Sequence, residues 1–286
     1  MGSSLVPSTT PTVAQWQLGR ELQQLRERHS LTITEVARLL EVTVSTVSRW
    51  EAALRVPREK ELRQLTRHYE LPSQEAEALI ELRRQAGKRG WWQSYALEQR
   101  YGTFIGLESS ASEIEAYTST VVTGLFQTEA YARAVITGVS SSIAPDDLER
   151  QIEVRRQRVS QVLSEDGPDM WVILGESAVR QQVGGGQVMY EQLTHLLELS
   201  AHPKITLQVI PHVAGAHVGM VVPTFMILKL SVSGLSTVYL EGYRSNLFLE
   251  SAEDLGNHEA VFNRLRLAGV GGNMLRDLLL GIRREL

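Results

Sequence analysis

The chain of 286 residues contains no cysteine, which excludes disulfides, thiolate metal sites and a cysteine nucleophile and fits a reducing compartment. It also lacks any run of eighteen apolar residues, so neither a membrane-spanning helix nor a membrane partner is expected. The first dozen residues, MGSSLVPSTTPT, have neither the basic start nor the apolar core of a signal peptide. Positions 1–12 therefore read as a flexible N-terminal arm, and the protein as soluble and cytoplasmic. Hydrophobic residues make up 43% of the chain, which excludes wholesale disorder, and the length suits two domains. The net charge of −4 argues weakly against nucleic acid, but it is unevenly spread: residues 1–90 hold 14 Lys and Arg against 11 Asp and Glu, the remainder 15 against 22. A basic front and an acidic back suit two modules with different partners.

Residues 31–50, LTITEVARLLEVTVSTVSRW, carry the spacing of a helix-turn-helix. Thr32 followed three residues later by Glu35 is a capping box, and Val36, Leu39 and Leu40 give the helix after it one apolar face. Ala37 is small where a second helix must cross closely. After a turn at Glu41 and Val42, Thr43 caps a helix whose Val47 and Trp50, three apart, point into a core. Its other face displays Val44, Ser45, Ser48 and Arg49, groups suited to a major groove, with Arg49 offered to guanine O6 and N7. Double-stranded DNA is the partner this pattern implies, with the protein nucleoid-associated when bound.

The flanks complete a bundle. Leu18, Leu22 and Leu25 mark a helix upstream; Arg55-Val-Pro57-Arg58 ends the recognition helix; Leu62, Leu65 and Tyr69, then Ala76, Leu79 and Leu82, mark two more. Residues 13–87 thus read as an all-α five-helix bundle. It resembles the Cro/C1-type (XRE) helix-turn-helix family, for which VSTVSRWE at Val44–Glu51 is a characteristic string. The resemblance implies that Thr43 and the backbone near Thr32 and Ile33 hold phosphates while Val44, Ser45, Ser48 and Arg49 face bases. It also implies that Glu51 pairs with Arg26 as a structural ion pair. Glu41 departs from the family pattern, which has glycine there because the turn favours positive φ; the departure costs about 1 kcal/mol. Arg55 and Arg58 are expected to touch phosphate.

The expected boundary lies at residues 85–90, QAGKRG, leaving 88–286 as a second domain. Trp91, Trp92, Tyr95 and Leu97 are placed to pack a hinge. ASEIEAYTSTVV from Ala111 reads as a short helix or an extended arm, Thr128 opens the helix of Glu129, Tyr131, Ala132 and Val135, and residues 145–163 form a long helix. The basic cluster Arg150, Arg155, Arg156 and Arg158 on that helix reads as its solvated side. MWVIL at 170–174 is a buried-type strand followed by the helix ESAVRQQV; VMYEQLTHLLELSA is an amphipathic helix; KITLQVIP, TFMILKL and STVYLEG are strands; residues 252–267 and 274–286 are helices. The second domain is therefore a mixed α/β (α+β) domain with a small sheet covered by helices.

The strings TGLFQTEAYARAV, RRQRV, MWVILGESAVRQQVGG, VMYEQLTHLLELSAHPKITLQVIP, AGAH and VYLEG resemble the effector-type domain of actinobacterial XRE regulators, the WhiJ-like developmental regulators. That resemblance implies a transcriptional regulator, commonly encoded beside a small acidic partner protein, and supplies no ligand or catalytic residue.

The residues themselves favour binding over catalysis. GESAV lacks the closing glycine of G-x-S-x-G, His212 and His217 with Glu241 match no common zinc spacing, and Gly184-Gly185-Gly186 has no following Lys-Ser/Thr. No enzyme, metal or cofactor is expected. Glu176 and Arg180 follow one strand, the loop of residues 211–219 with His212 and His217 follows another, and Glu241, Tyr243 and Arg244 a third, so these groups are candidates for one ligand or partner site at a sheet edge. One helix-turn-helix buries only about 600–1,000 Å² on DNA, so a homodimer on paired half-sites is expected, with the second domain as its interface and as the site for a small-molecule effector or small partner protein. Two alternatives remain open: an antitoxin-like protein that sequesters a small neighbouring protein and autoregulates its operon, and a DNA-targeted hydrolase.

Overall fold

The computed structural model describes residues 12–286 apart from 89, 96, 141, 231–235 and 243–245. It divides into two units, the first ending at Leu107 and the second running Glu108–Leu286.

In the first unit, the five expected helices are α1 (Val13–Arg28), α2 (Ile33–Leu39), α3 (Val44–Glu51), α4 (Glu59–His68) and α5 (Ser73–Ala86). Leu18, Leu22, Leu25, Val36, Ala37, Val47, Trp50, Leu62, Leu65 and Leu79 form their common core. Thr12, placed in the arm by the sequence reading, belongs to α1: its hydroxyl accepts the Gln15 N–H while Gln15 Oε1 accepts the Thr12 N–H at 2.8 Å. The rest of that arm lies outside the described residues. The recognition helix is shorter than the position of Arg55–Arg58 suggested. It stops at Glu51, because Ala53 turns left-handed at φ 58° and the Leu54 N–H closes back on the Arg49 carbonyl at 2.8 Å.

Each of the first four helices ends in this way. Ser30, Glu41, Ala53 and Glu70 have φ between 48° and 58°. The next residue in each case donates back to the carbonyl five positions earlier: Leu31 to Arg26, Val42 to Ala37, Leu54 to Arg49 and Leu71 to Thr66. This is the Schellman motif made without glycine, each αL residue carrying about 1 kcal/mol of strain in exchange for satisfied terminal carbonyls. Leu31, Val42 and Leu71 then pack against the core. Glycine does matter at Gly19, where a Cβ would lie 2.7 Å from the carbonyl oxygens of both Trp50 and Glu51. The close crossing is thus between α1 and the end of α3.

The glycines near the expected boundary mark a tight turn and not the division between units. Gly87 caps α5, and a Cβ on Gly90 would overlap the Trp92 ring at 2.5 Å. Trp91 and Trp92 then meet edge to face in a 3-10 turn, Trp91–Tyr95, and α6 (Gln99–Glu108) follows, so the division falls about twenty residues later.

The second unit is an α/β domain with a six-stranded mixed sheet of order β3-β2-β1-β4-β5-β6. Its strands are β1 (Ala111–Thr118), β2 (Asp169–Gly175), β3 (Ile205–Ile210), β4 (Phe225–Leu230), β5 (Ser236–Leu240) and β6 (Leu247–Leu249). The segment at Ala111, left between a short helix and an extended arm, is an inner strand. β1 runs parallel to β2 and antiparallel to β4, and Ile114, Ala116, Tyr117 and Thr118 are buried. β6, which the sequence reading omitted, adds three residues antiparallel to β5. The helices are α7 (Glu129–Val139), α8 (Pro145–Val162), α9 (Glu176–Arg180), α10 (Gly186–Leu199), α11 (Ala252–Ala268) and α12 (Gly272–Arg284). α9 stops short of the expected ESAVRQQV.

The solvated reading of the α8 arginines holds for Arg150 and Arg156, which pair with Asp147 and Glu153 in their own helix. It fails for the other two. Arg158 is 5% exposed and grips Glu108, 1% exposed, through two bonds of 2.7 Å; Arg155 bonds the Gln127 amide. A buried carboxylate required a cation, and α8 supplies it.

The crossing at Gly19 gives a direct test. Gly19→Ala forces α1 away from the end of α3 and is expected to destabilise the first unit by about 1–3 kcal/mol despite alanine's better helix propensity. Chemical denaturation followed by tryptophan fluorescence would read this, and an unchanged midpoint would refute the close-approach account.

Candidate functional site

α3 is held from three directions. Its N-cap Thr43 accepts the Thr46 N–H at 3.2 Å, Val47 and Trp50 on its inner face are each 2% exposed, and its last residue Glu51 receives Arg26 Nε at 2.7 Å and Nη2 at 2.9 Å. The third Arg26 donor reaches the Leu31 carbonyl at 3.0 Å, so one guanidinium ties α1, the turn before α2 and the end of α3. Hydrogen bonding to Glu51 raises the Arg26 pKa further.

With the inner face anchored, Val44, Ser45, Ser48 and Arg49 are all exposed. Arg49, Arg55 and Arg58 are exposed and make no ion pair among the described residues, whereas Arg63 and Arg84 of the same unit are engaged by glutamates. These three cations therefore keep their charge available for an anionic partner. At the start of α2 the arrangement is more selective than the sequence suggests. Glu35 Oε2 accepts both the Thr32 N–H and its hydroxyl at 2.7 Å, which lowers the Glu35 pKa. Thr32 is thereby occupied, and Ile33, as the first helical residue, has no intrahelical acceptor for its N–H.

The second constellation lies beyond the carboxyl ends of β2 and β3. These strands are parallel neighbours, so the residues that follow them share one edge. Glu176 is buried; its carboxylate accepts from Arg180 Nε and from the His212 N–H, the latter at 2.5 Å. Arg180 also reaches Glu285 at 2.7 Å. Ser177, which the sequence reading discounted, has its Oγ 3.2 Å from His212 Nε2, while His212 Nδ1 lies 3.8 Å from Glu176. Only the folded register of β2 and β3 reveals this contact, since 35 residues separate the pair.

Of the other candidates, His217 and Glu241 make no ion pair with this group among the described residues. His217 Nδ1 accepts the Gly219 N–H at 3.2 Å, and the Gly219 carbonyl takes the buried Tyr117 hydroxyl at 2.9 Å. Glu241 is exposed after β5 and makes no ion pair among the described residues; Tyr243 and Arg244 lie outside them. Nor does any group of three or more His, Asp or Glu placed to hold a metal ion occur among the described residues.

Burial alone would raise the Glu176 pKa, but the hydrogen bonds from Arg180 and the His212 N–H outweigh it and hold the carboxyl below its ordinary range. A depressed folded-state pKa stabilises above the unfolded value and is lost as pH falls through the folded one. The stability advantage of wild type over Glu176→Gln should therefore be full at pH 7 and shrink below roughly pH 4. Thermal unfolding across that range checks this, and a gap independent of pH would disprove it.

Comparison with known proteins finds two domain matches along the chain. A helix-turn-helix domain model matches residues 17–79 and a domain of unknown function, DUF5753, matches residues 101–279. No curated protein and no solved structure matches the chain. Among the described residues no helix is long and apolar enough to cross a membrane. The front unit carries a helix-turn-helix domain, which makes the protein a DNA-binding regulator, and the chain belongs to the DUF5753 family.

Proposed function

We propose that the protein is a sequence-specific transcription regulator of the XRE type that binds DNA as a homodimer and carries, in its second unit, a site for a small molecule or a small partner protein. The observation that carries this reading is the exposed face of α3: two small hydroxyls, a valine and an arginine without an internal carboxylate partner, on a helix fixed by Arg26 and Glu51. The size of a single helix-turn-helix contact favours two copies on half-sites one helical turn apart. Regulation then requires an effector that binds one dimer geometry better than another.

The test is selection of bound genomic fragments at physiological salt, followed by affinity measurements on the enriched site. Arg49→Ala should weaken the specific site by about 1–3 kcal/mol and relax one base position, whereas Arg58→Ala should weaken all sequences alike and reduce the salt slope by about one. An equal loss on every sequence for Arg49→Ala would contradict its assignment to a base.

A hydrolytic reading has one observation in its favour, the Ser177–His212–Glu176 contact. We read it instead as a clasp. The 3.8 Å between His212 Nδ1 and Glu176 is too long for the hydrogen bond that would orient a general base, and the carboxylate is already bonded to Arg180 and to the His212 backbone. Incubation with a serine-directed fluorophosphonate should therefore leave Ser177 unlabelled; labelling that disappears in both Ser177→Ala and His212→Ala would establish the hydrolase.

A further inference from the structure

The second unit contains a cavity built from elements other than those around Glu176. It encloses about 260 Å³ and is lined by Gln127, Thr128 and Glu129 at the start of α7, by Ile152, Arg155, Arg156 and Val159 of α8, by Ala132 of α7 and by His195 of α10. Drug-sized sites occupy roughly 300–1,000 Å³, so this one suits a smaller molecule. Its floor is apolar: Ala132 and Ile152 are buried and belong to a cluster with Ile136.

The polar side is rigidly built. Gln192, fully buried, accepts the Thr128 N–H at 2.8 Å and donates to the Phe126 carbonyl at 2.7 Å. Gln127, also buried, donates to the Val122 carbonyl at 2.6 Å and accepts from Arg155. One turn along α8, Arg158 is locked on Glu108. These bonds hold the segment before α7 against α8 and α10 and fix the guanidinium of Arg155 in the cavity wall, the kind of support that an orienting group in a binding site needs.

The charges around the cavity favour an anion. Of the charged side chains described in its lining, Arg155 and Arg156 are cations and Glu129 is a carboxylate, and Glu129 is bonded to Arg133, itself also held by Glu149. Arg156 is paired with Glu153 at the rim. His195, with Glu198 3.9 Å away, has its pKa lowered by burial, so its ring is neutral at pH 7 and offers a hydrogen bond without competing charge.

We propose that this cavity binds a small amphipathic organic anion, its carboxylate on Arg155 with Arg156 closing from the rim and its short apolar body on Ala132, Ile152 and Val159. The proposal rests on the reading of the second unit as effector-binding, and it names the chemistry of the effector.

Calorimetric titration of the full chain with octanoate, and with 1-octanol as the uncharged control, tests it. Octanoate should bind saturably with one molecule per chain and octanol at least about tenfold more weakly, since a charge-assisted hydrogen bond is lost. Arg155→Gln should weaken octanoate by a similar factor while leaving octanol unchanged, and Ala132→Leu, which fills the floor, should abolish both, with unfolding midpoints confirming that each variant is folded. Equal affinities for acid and alcohol, or octanoate binding unaltered in both variants, would overturn the site. Octanoate that binds as described but leaves DNA affinity unchanged would uphold the site and overturn only its role as an effector pocket.

Discussion

The second unit depends on one constraint, the placement of β1 between a parallel and an antiparallel neighbour. A strand paired along both edges satisfies its backbone groups within the sheet, and five of the eight side chains of β1 are buried, Ile114, Ala116, Tyr117 and Thr118 among them. Because β2 and β3 extend the sheet in parallel on one side of β1, their carboxyl ends emerge together. That alone brings Glu176 and Ser177 beside His212. Gly175 permits it, since a Cβ there would lie 2.6 Å from the Ser119 carbonyl at the end of β1. On the antiparallel side, Tyr117 of the same strand reaches Gly219 and pins the loop before β4.

In the first unit the comparable constraint is the position of α3. Eight residues cannot hold a helix in water by themselves, so the geometry of the recognition surface is imposed from outside. The Arg26–Glu51 fork fixes its end, Thr43 its beginning, and the missing Cβ of Gly19 sets how close α1 lies. Left-handed turns at Ser30, Glu41, Ala53 and Glu70 accept a small strain to stop four helices at defined points. Local strain thus converts a plain helical bundle into one that presents a defined face.

Buried polar groups do comparable work in the helical layer of the second unit. Arg158 with Glu108, and Gln192 and Gln127 with backbone carbonyls, specify how α7, α8 and α10 meet, where apolar packing alone would tolerate several registers. The same network leaves a partly polar cavity where the three helices do not fill the space.

Periodicity and capping chemistry made the helices legible: Thr32 with Glu35, Thr43 and Thr128 are caps whose hydrogen bonds lie within one turn of chain, and the 3.6-residue spacing of Leu18, Leu22 and Leu25 needs no partner to be recognised. The apolar runs of β2, β3, β4 and β5 were legible for the same reason. β1 was not, because its interrupted pattern of glutamates and small residues acquires meaning only when Lys229 of β4 lies across from Glu113 and Glu115. Nor could composition separate Arg158 from Arg150 on one helix face, since burial is decided by what packs there. By itself the sequence determined the helix-turn-helix, its outward residues and the class of the second domain, because local hydrogen bonds and periodicity encode them. Tertiary structure alone decided strand order, the meeting of Ser177 with His212, the burial of Arg158 and the cavity beside Arg155, because each depends on residues brought together from distant parts of the chain.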